Sequence, residues 1–395
     1  MKSLRTRTLT AAVAVLGLAL AGCGGGGDDT ASAPDEVPAQ YADAAKAAQA
    51  KGLRFTGGHD DIVAKAEKEG PLTVIWSLGA DYEAHKEILD SFYEEYPFMK
   101  GRLTVENLDG VEARQRFMLE AEAGALKDYG VLYAATEVYS ESADMCDWDI
   151  YGMAEAGILD IPLKMIDPNR RTVVASGSTA GILAYNKDKV TEADLPDTWE
   201  ELLDPAKYGK DAGFRMLGDV RIATYSAMVP SWGLDKTKQY YADFATKIQP
   251  TWVQRFAPAV LQVSQGEFDA FPFINLSSVE QRKADAPNVG VKVIEPVPVR
   301  ISETHCVLKD KYNSAPYSSL LWLEWTASKG GQSVMEDPNV TVYQSSIYSE
   351  QPGGLADYLK GKELSVSDWS YFEGQSKAIE EIIGAAGFPK ATDSK

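Results

Sequence analysis

Beyond an Ala-rich, helix-prone lead-in at 38–51, the apolar positions of the chain switch repeatedly between two periods, and the switching predicts an α/β fold. LTVIWS (72–77) is a short, almost uninterrupted apolar run, which suits a buried strand. Residues 82–96 then place Ile88, Leu89 and Phe92 at helical spacing, on one buried side. The exchange repeats in LTVENL (103–108), a helix over 112–125 and YGVLYAA (129–135). Strand, helix, strand, helix, strand predicts right-handed βαβ units on a parallel sheet. Ligands gather beyond the carboxyl ends of such strands, so the loops after Ser77 and Ala135 are the first expected part of a site.

A second α/β region follows GILAYNKDKV (181–190), with a helix-rich stretch over 198–268. EPVPVRISETHCVL (295–308) reads as extended, and 317–335 as a helix carrying Leu320, Leu321, Leu323 and Trp325. In LPDTWEELLDPAKYGK (195–210), Thr198 is placed to cap a helix whose first turn holds Glu200 and Glu201 against the helix dipole. Trp199, Leu202 and Leu203 would bury its face and Pro205 would end it. The chain shows no short internal repeat.

The first residues follow a different logic. Lys2, Arg5 and Arg7 precede an apolar run over 9–20 and the string LAGC (20–23), the pattern of an export signal too short to span a bilayer stably. LAGC resembles the bacterial lipobox, which implies cleavage before Cys23, acylation of that cysteine and attachment to the membrane by lipid. Residues 1–22 are thus expected to be a lipoprotein signal peptide. Residues 23–57 are expected to be a Gly-rich, then Ser/Ala/Pro/Asp-rich tether with the N-terminal extension. The formal net charge is −19, and loss of the signal with its three basic residues makes it more negative. Nucleic acid and anionic lipid surfaces are excluded as partners on that ground, since both reward clustered Lys and Arg. Membrane contact is expected through the lipid alone. Cys146 and Cys306 remain as an even pair in an oxidising compartment, either bridged or buried as reduced thiols.

Several stretches, in order, resemble one family. AEKEGPLTVIWS (66–77) matches its opening helix, glycine turn and first strand; GILAYNKDKV matches an interdomain strand with a Tyr-Asn pair. LPDTWEELLDPAKYGK is the most specific match, and QVSQGEFDAFPFIN (262–275) and SSLLWLEWTASKGGQSVM (318–335) follow. Together they resemble the iron-type and related small-molecule branch of the bacterial periplasmic solute-binding proteins, receptors of ABC importers. The resemblance implies the type II periplasmic-binding-protein fold, two α/β domains with a hinge and an interdomain cleft that shuts on its ligand. Domain 1 would comprise 58–180 and 290–395, and domain 2 would comprise 181–289. It also implies an extracytoplasmic receptor that hands a small solute to an ABC permease, with no catalysis and no cofactor.

Candidate ligand contacts come from loops and crossover segments. Ser77 and Gly79 follow the first strand, and Thr136 and Glu137 follow the third. Ser176, Ser178 and Thr179 lie in ASGSTAG (175–181), just before the interdomain strand. Arg221 precedes an expected helix start, where it would suit a carboxylate or phosphate. Asn275 stands beside the return strand, where the ferric-ion members carry adjacent tyrosines; here the residues are Asn275, Leu276 and Ser277, a departure that argues against direct ferric binding. Tyr240 and Tyr241 are expected at core and surface positions of a helix, and Asp147–Trp148–Asp149 at the surface. His59, His85 and His305 are scattered, no metal-binding spacing occurs, and GSTAG has Thr179 where a nucleophile elbow needs serine. The expected ligand is a small carboxylate or phosphonate, ahead of a polyamine or thiamine-like cation and an iron chelate. An extracytoplasmic enzyme and a sensory partner on the same fold are the alternatives.

Overall fold

The apolar runs that open the α/β region lie side by side as parallel strands. The computed structural model describes residues 37–76, 82–107, 110–126, 128–134 and 139–387. Its strands are β1 (Leu72–Ile75), β2 (Leu103–Glu106), β3 (Tyr129–Tyr133), β4 (Val173–Asn186), β5 (Leu217–Asp219), β6 (Thr251–Val253), β7 (Ala270–Asn275), β8 (Val289–Lys292), β9 (Val297–Val307) and β10 (Leu364–Ser367). β1 sits between β2 and β3, parallel to both, with Leu72 opposite Leu103 and Val74 opposite Val131. Helices Tyr82–Glu95 and Gly110–Glu122 form the crossovers. Gly130 in β3 is required by close approach: a Cβ there would collide with Leu72 Cδ1 and Ser319 Oγ, the latter on the helix Pro316–Ala327 that closes over the sheet.

Among the described residues the strands run in the order β2-β1-β3-β9-β4-β7, with β8 also on β4 and β10 on β9. β4 and β9 are long antiparallel strands at the middle of this order. Around one end pack Trp76, Phe92, Trp322 and Trp325; around the other pack Trp199, Tyr225, Tyr240, Phe244 and Phe273. Trp369 and Phe372 of the helix Trp369–Ala386 pack with Tyr139 and Val173, while Ile382 packs with the second aromatic group.

Several sequence expectations change at this level. Residues 317–335 form two helices, Pro316–Ala327 and Lys329–Val334, because Ser328 leaves the helical region and its hydroxyl accepts from Gly331 N at 3.4 Å. Thr198 Oγ1 accepts from Glu201 N at 3.2 Å as a cap would, but only a single 3-10 turn, Glu201–Leu203, follows. Pro205 holds Asp204 extended and starts a separate turn of helix. Tyr240 and Tyr241 are both core residues, since their hydroxyls reach the carbonyls of Trp199 and Asp219 at 2.6 and 2.7 Å. The Asp147–Asp149 stretch is not a surface feature either: Trp148 and Asp149 are buried, and Asp149 caps helix Ile150–Glu155 while holding Arg171 Nε at 2.9 Å. Cys146 and Cys306 are joined in a disulfide with Cα atoms 6.1 Å apart, tying β9 to the segment before that helix.

Candidate functional site

The antiparallel register of β4 and β9 sets Thr179 opposite Arg300 and Gly177 opposite Ser302. The parallel register of β10 sets Ser367 opposite the same arginine. Residues opposite one another in a ladder project to the same face, so Thr179, Arg300, Ser302 and Ser367 share one face of three adjacent strands. All four carry a buried polar atom with no hydrogen-bond partner: Thr179 Oγ1, Arg300 Nε, Ser302 Oγ and Ser367 Oγ. Buried polar atoms are normally satisfied, because an unmade bond costs about 1–3 kcal/mol, so three hydroxyls and a guanidinium nitrogen in one patch mark a place organised for something other than packing.

Asp219, at the end of β5, is close enough to feel the charge of Arg300. Asp219 is 4% exposed, and its Oδ1 accepts from Arg221 N at 3.0 Å and from Arg221 Nε at 3.4 Å. Burial pushes the Asp219 carboxyl above the usual aspartate range, and the charges of Arg221 and Arg300 oppose that rise. Arg221 alone bonds to this carboxylate, and Arg300 acts on it only through its charge. The Arg221 side chain is 49% exposed, with its guanidinium 4.4 Å from the centre of the Phe256 ring. Close by in the chain, Thr224 Oγ1 donates to Asn275 Oδ1, and Asn275 pairs with Gly181 of β4. The approach is tight: a Cβ on Gly181 would lie 2.7 Å from Thr224 Cγ2 and 2.8 Å from Pro298 Cγ. The 3-10 turn Tyr225–Met228 packs on β9 and β10, where Ser365 Oγ donates to Ala227 O at 2.6 Å. Gln375, from the C-terminal helix, reaches Ser226 Oγ at 2.9 Å through Nε2 while its Oε1 is buried without a partner.

The residues proposed from sequence fall into three groups. Thr179, Arg221 and Asn275 lie in or beside this polar region. Ser176 and Ser178 point to the opposite face of β4, where their hydroxyls are used structurally: Ser176 Oγ donates to Glu303 O at 3.2 Å and Ser178 Oγ accepts from Ile347 N at 3.0 Å. Ser77, Gly79, Thr136, Glu137 and Cys23 lie outside the described residues. Arg221 precedes only a 3-10 turn and the short helix Val229–Trp232, so no long helix dipole reinforces it.

Arg300, Ser302, Ser367 and Asp219 were not singled out from sequence. For β9 the signal is present: Pro298, Arg300 and Ser302 alternate with Val297, Val299 and Ile301, so one face of the strand is polar. Asp219 and Ser367 carry no comparable local signal. His305 is fully buried beside Trp76 and Tyr133, and burial pulls it down to about 4, which leaves it neutral at physiological pH. Among the described residues, no cluster of three His, Cys, Asp or Glu side chains could hold a metal ion.

Residues 148–374 match the family model described as bacterial extracellular solute-binding protein. No curated protein matches the chain. Among solved structures, iron-bound HitA from Pseudomonas aeruginosa is 17% identical, with a TM-score of 0.55 over 80% of this chain and 99% of that one. The substrate-binding protein of an ABC transporter from Agrobacterium tumefaciens is 16% identical, with a TM-score of 0.60 over 81% and 96%. The periplasmic binding protein AfuA from Actinobacillus pleuropneumoniae, with exogenous fructose-6-phosphate bound, is 16% identical, with a TM-score of 0.54 over 81% and 99%. At these identities the likeness is one of fold, the type II periplasmic-binding-protein fold.

Proposed function

The chain belongs to the bacterial extracellular solute-binding family, and from that premise we propose that it is the lipid-anchored receptor of an ABC importer whose solute is a small anion, such as a carboxylate or phosphonate. The observation that carries the anion reading is that Asp219 bonds to Arg221 alone while Arg300, whose charge it feels, has no partner for its Nε, which leaves a surplus positive charge in a chain of net charge −19. An anion that approaches those guanidiniums gains charge-assisted hydrogen bonds that a cation would forfeit. The fructose-6-phosphate bound to AfuA is a ligand of that charge on a related fold. HitA is iron-bound, and here the Asn275-Leu276-Ser277 sequence offers no phenolate to replace the tyrosines of the ferric members.

In this reading the two aromatic groups belong to two domains, 58–180 with 290–395 and 181–289, and the ligand sits between them over β4 and β9. Arg221 and Asn275 line one wall and Thr179 the floor, and Ser77, Gly79, Thr136 and Glu137, outside the described residues, are the remaining proposed contacts. Cys23 ties the tether to the membrane, and no described helix is long and apolar enough to cross a bilayer. The partner is an ABC permease, and no reaction is catalysed; the family and the structural neighbours are transport proteins. Native mass spectrometry of the mature chain, purified without refolding, tests the reading. A retained small anion supports it, and a retained polyamine, thiamine-like cation or ferric ion overturns the anion assignment.

A further inference from the structure

The polar patch on β4, β9 and β10 has a composition that says more than charge alone. Three hydroxyls and one guanidinium lie on strands about 4.8 Å apart, with Thr179 on one side of Arg300, Ser367 on the other and Ser302 two residues along the same strand. Thr179, Ser302 and Ser367 are each more than nine-tenths buried. None of their hydroxyls has a partner, and neither does Arg300 Nε. Asp219, whose carboxyl feels the charge of Arg300, bonds to Arg221 instead.

We propose that Thr179, Arg300, Ser302 and Ser367 form the seat for a tetrahedral oxoanion, the phosphate or phosphonate head of the solute. The proposal rests on the anion reading above and deepens it. A planar carboxylate has two oxygens in one plane, which the fork of one arginine satisfies. Here the donors come from three strands and flank the arginine on both sides, an arrangement that needs acceptor oxygens facing several ways. A phosphate or phosphonate supplies them. Hydroxyls serve better than further cations at such depth, because each can donate to the anion without adding a charge that would be buried whenever the seat is unliganded. The half-buried Arg300 supplies the one charge, and its partial exposure marks the side from which the head group enters.

The test uses the mature full chain with inorganic phosphate and acetate as probes, read by isothermal titration and by the shift in Tm. Phosphate is expected to bind and raise Tm, and acetate to bind more weakly. Arg300→Gln is expected to weaken phosphate binding about tenfold to a hundredfold, the loss of one charge-assisted bond. Ser367→Ala removes a hydroxyl that has no partner in the ligand-free fold, so its Tm without phosphate should stay level or rise while phosphate affinity falls about threefold to tenfold. That split guards against misreading a folding defect. Phosphate affinity unchanged in either variant, acetate bound as tightly as phosphate, or no response of the wild type to phosphate would each overturn the seat. If the native mass spectrum shows a bound anion while Arg300→Gln is without effect, the seat falls and the anion receptor stands. A bound cation takes down both.

Discussion

Asp219→Asn gives the sharpest test of ligand charge, because the sign of its effect differs between the competing readings. The substitution keeps a side-chain oxygen for Arg221 N, now held at 3.0 Å, and removes only the negative charge that Arg221 and Arg300 oppose. A unit charge about 7–10 Å from a bound anion, at an effective dielectric near 20, interacts by roughly 1.5–2.5 kcal/mol, which screening trims to about 1–2 kcal/mol. The variant should therefore bind an anion about fivefold to thirtyfold more tightly and a cation more weakly by the same factor. Stability should change little: burial already makes the ionised carboxyl less favourable folded than in water, so a neutral isostere gives up no large stabilisation. The pH dependence follows. Between the ordinary aspartate value and the raised folded one, the native state holds a proton that the unfolded state has released, so wild-type stability falls as pH rises through that window. Over the same window the wild-type affinity for an anion of fixed charge falls too, and both dependences vanish in Asp219→Asn. Titration calorimetry with the solute found by mass spectrometry, repeated across acidic pH, reads both. Weaker binding of an anion by the variant would refute the electrostatic reasoning.

Replacing Cys23 by Ser should move the protein from membrane to soluble fractions, and unchanged membrane association after cell fractionation would remove the lipid anchor. The Cys146→Ser, Cys306→Ser double variant opens a link between residues 160 apart and should lose about 2–5 kcal/mol in chemical denaturation; equal stability, or two titratable thiols in the denatured non-reduced wild type, would contradict the bridge. His59 donates to the buried Glu324 at 2.9 Å, and that bond raises its pKa against the opposing effect of burial. Its stabilisation is present below the unfolded histidine value and lost as pH rises through the folded one. With the His59 side chain 39% exposed, His59→Ala should cost only about 0.5–1 kcal/mol near pH 5.5 and less near pH 8.5, and a pH-independent loss would exclude the ionic contribution.

The βαβ opening was legible because Leu72, Val74 and Val131 form short apolar runs and the helix between β1 and β2 shows its own period. Helix boundaries were less so. Ser328 and Pro205 break segments whose apolar spacing continues across the break, since periodicity records which side is buried and not whether the backbone turns without interruption. The sequence marked Thr179, Arg221 and Asn275, one of them for its place in a flexible-looking polar run and the others for their place beside expected elements. Ser176 and Ser178 come from the same run as Thr179 and look identical to it in one dimension. Alternation along β4 sends them to the other face, where Glu303 and Ile347 use their hydroxyls.

By itself the sequence determined the acidic charge, the α/β class and the family, all of which are properties of local composition, period or spacing. Only the tertiary structure decided which polar residues belong together. Thr179, Asp219, Arg300 and Ser367 come from four separate strands, and the meeting of three of them is fixed by the register of β4 and β10 on β9. A register of that kind is set by how apolar faces pack across the whole sheet, and a slip of one residue would turn Arg300 and its hydroxyl neighbours to opposite faces. No window of sequence around any one of them contains that information.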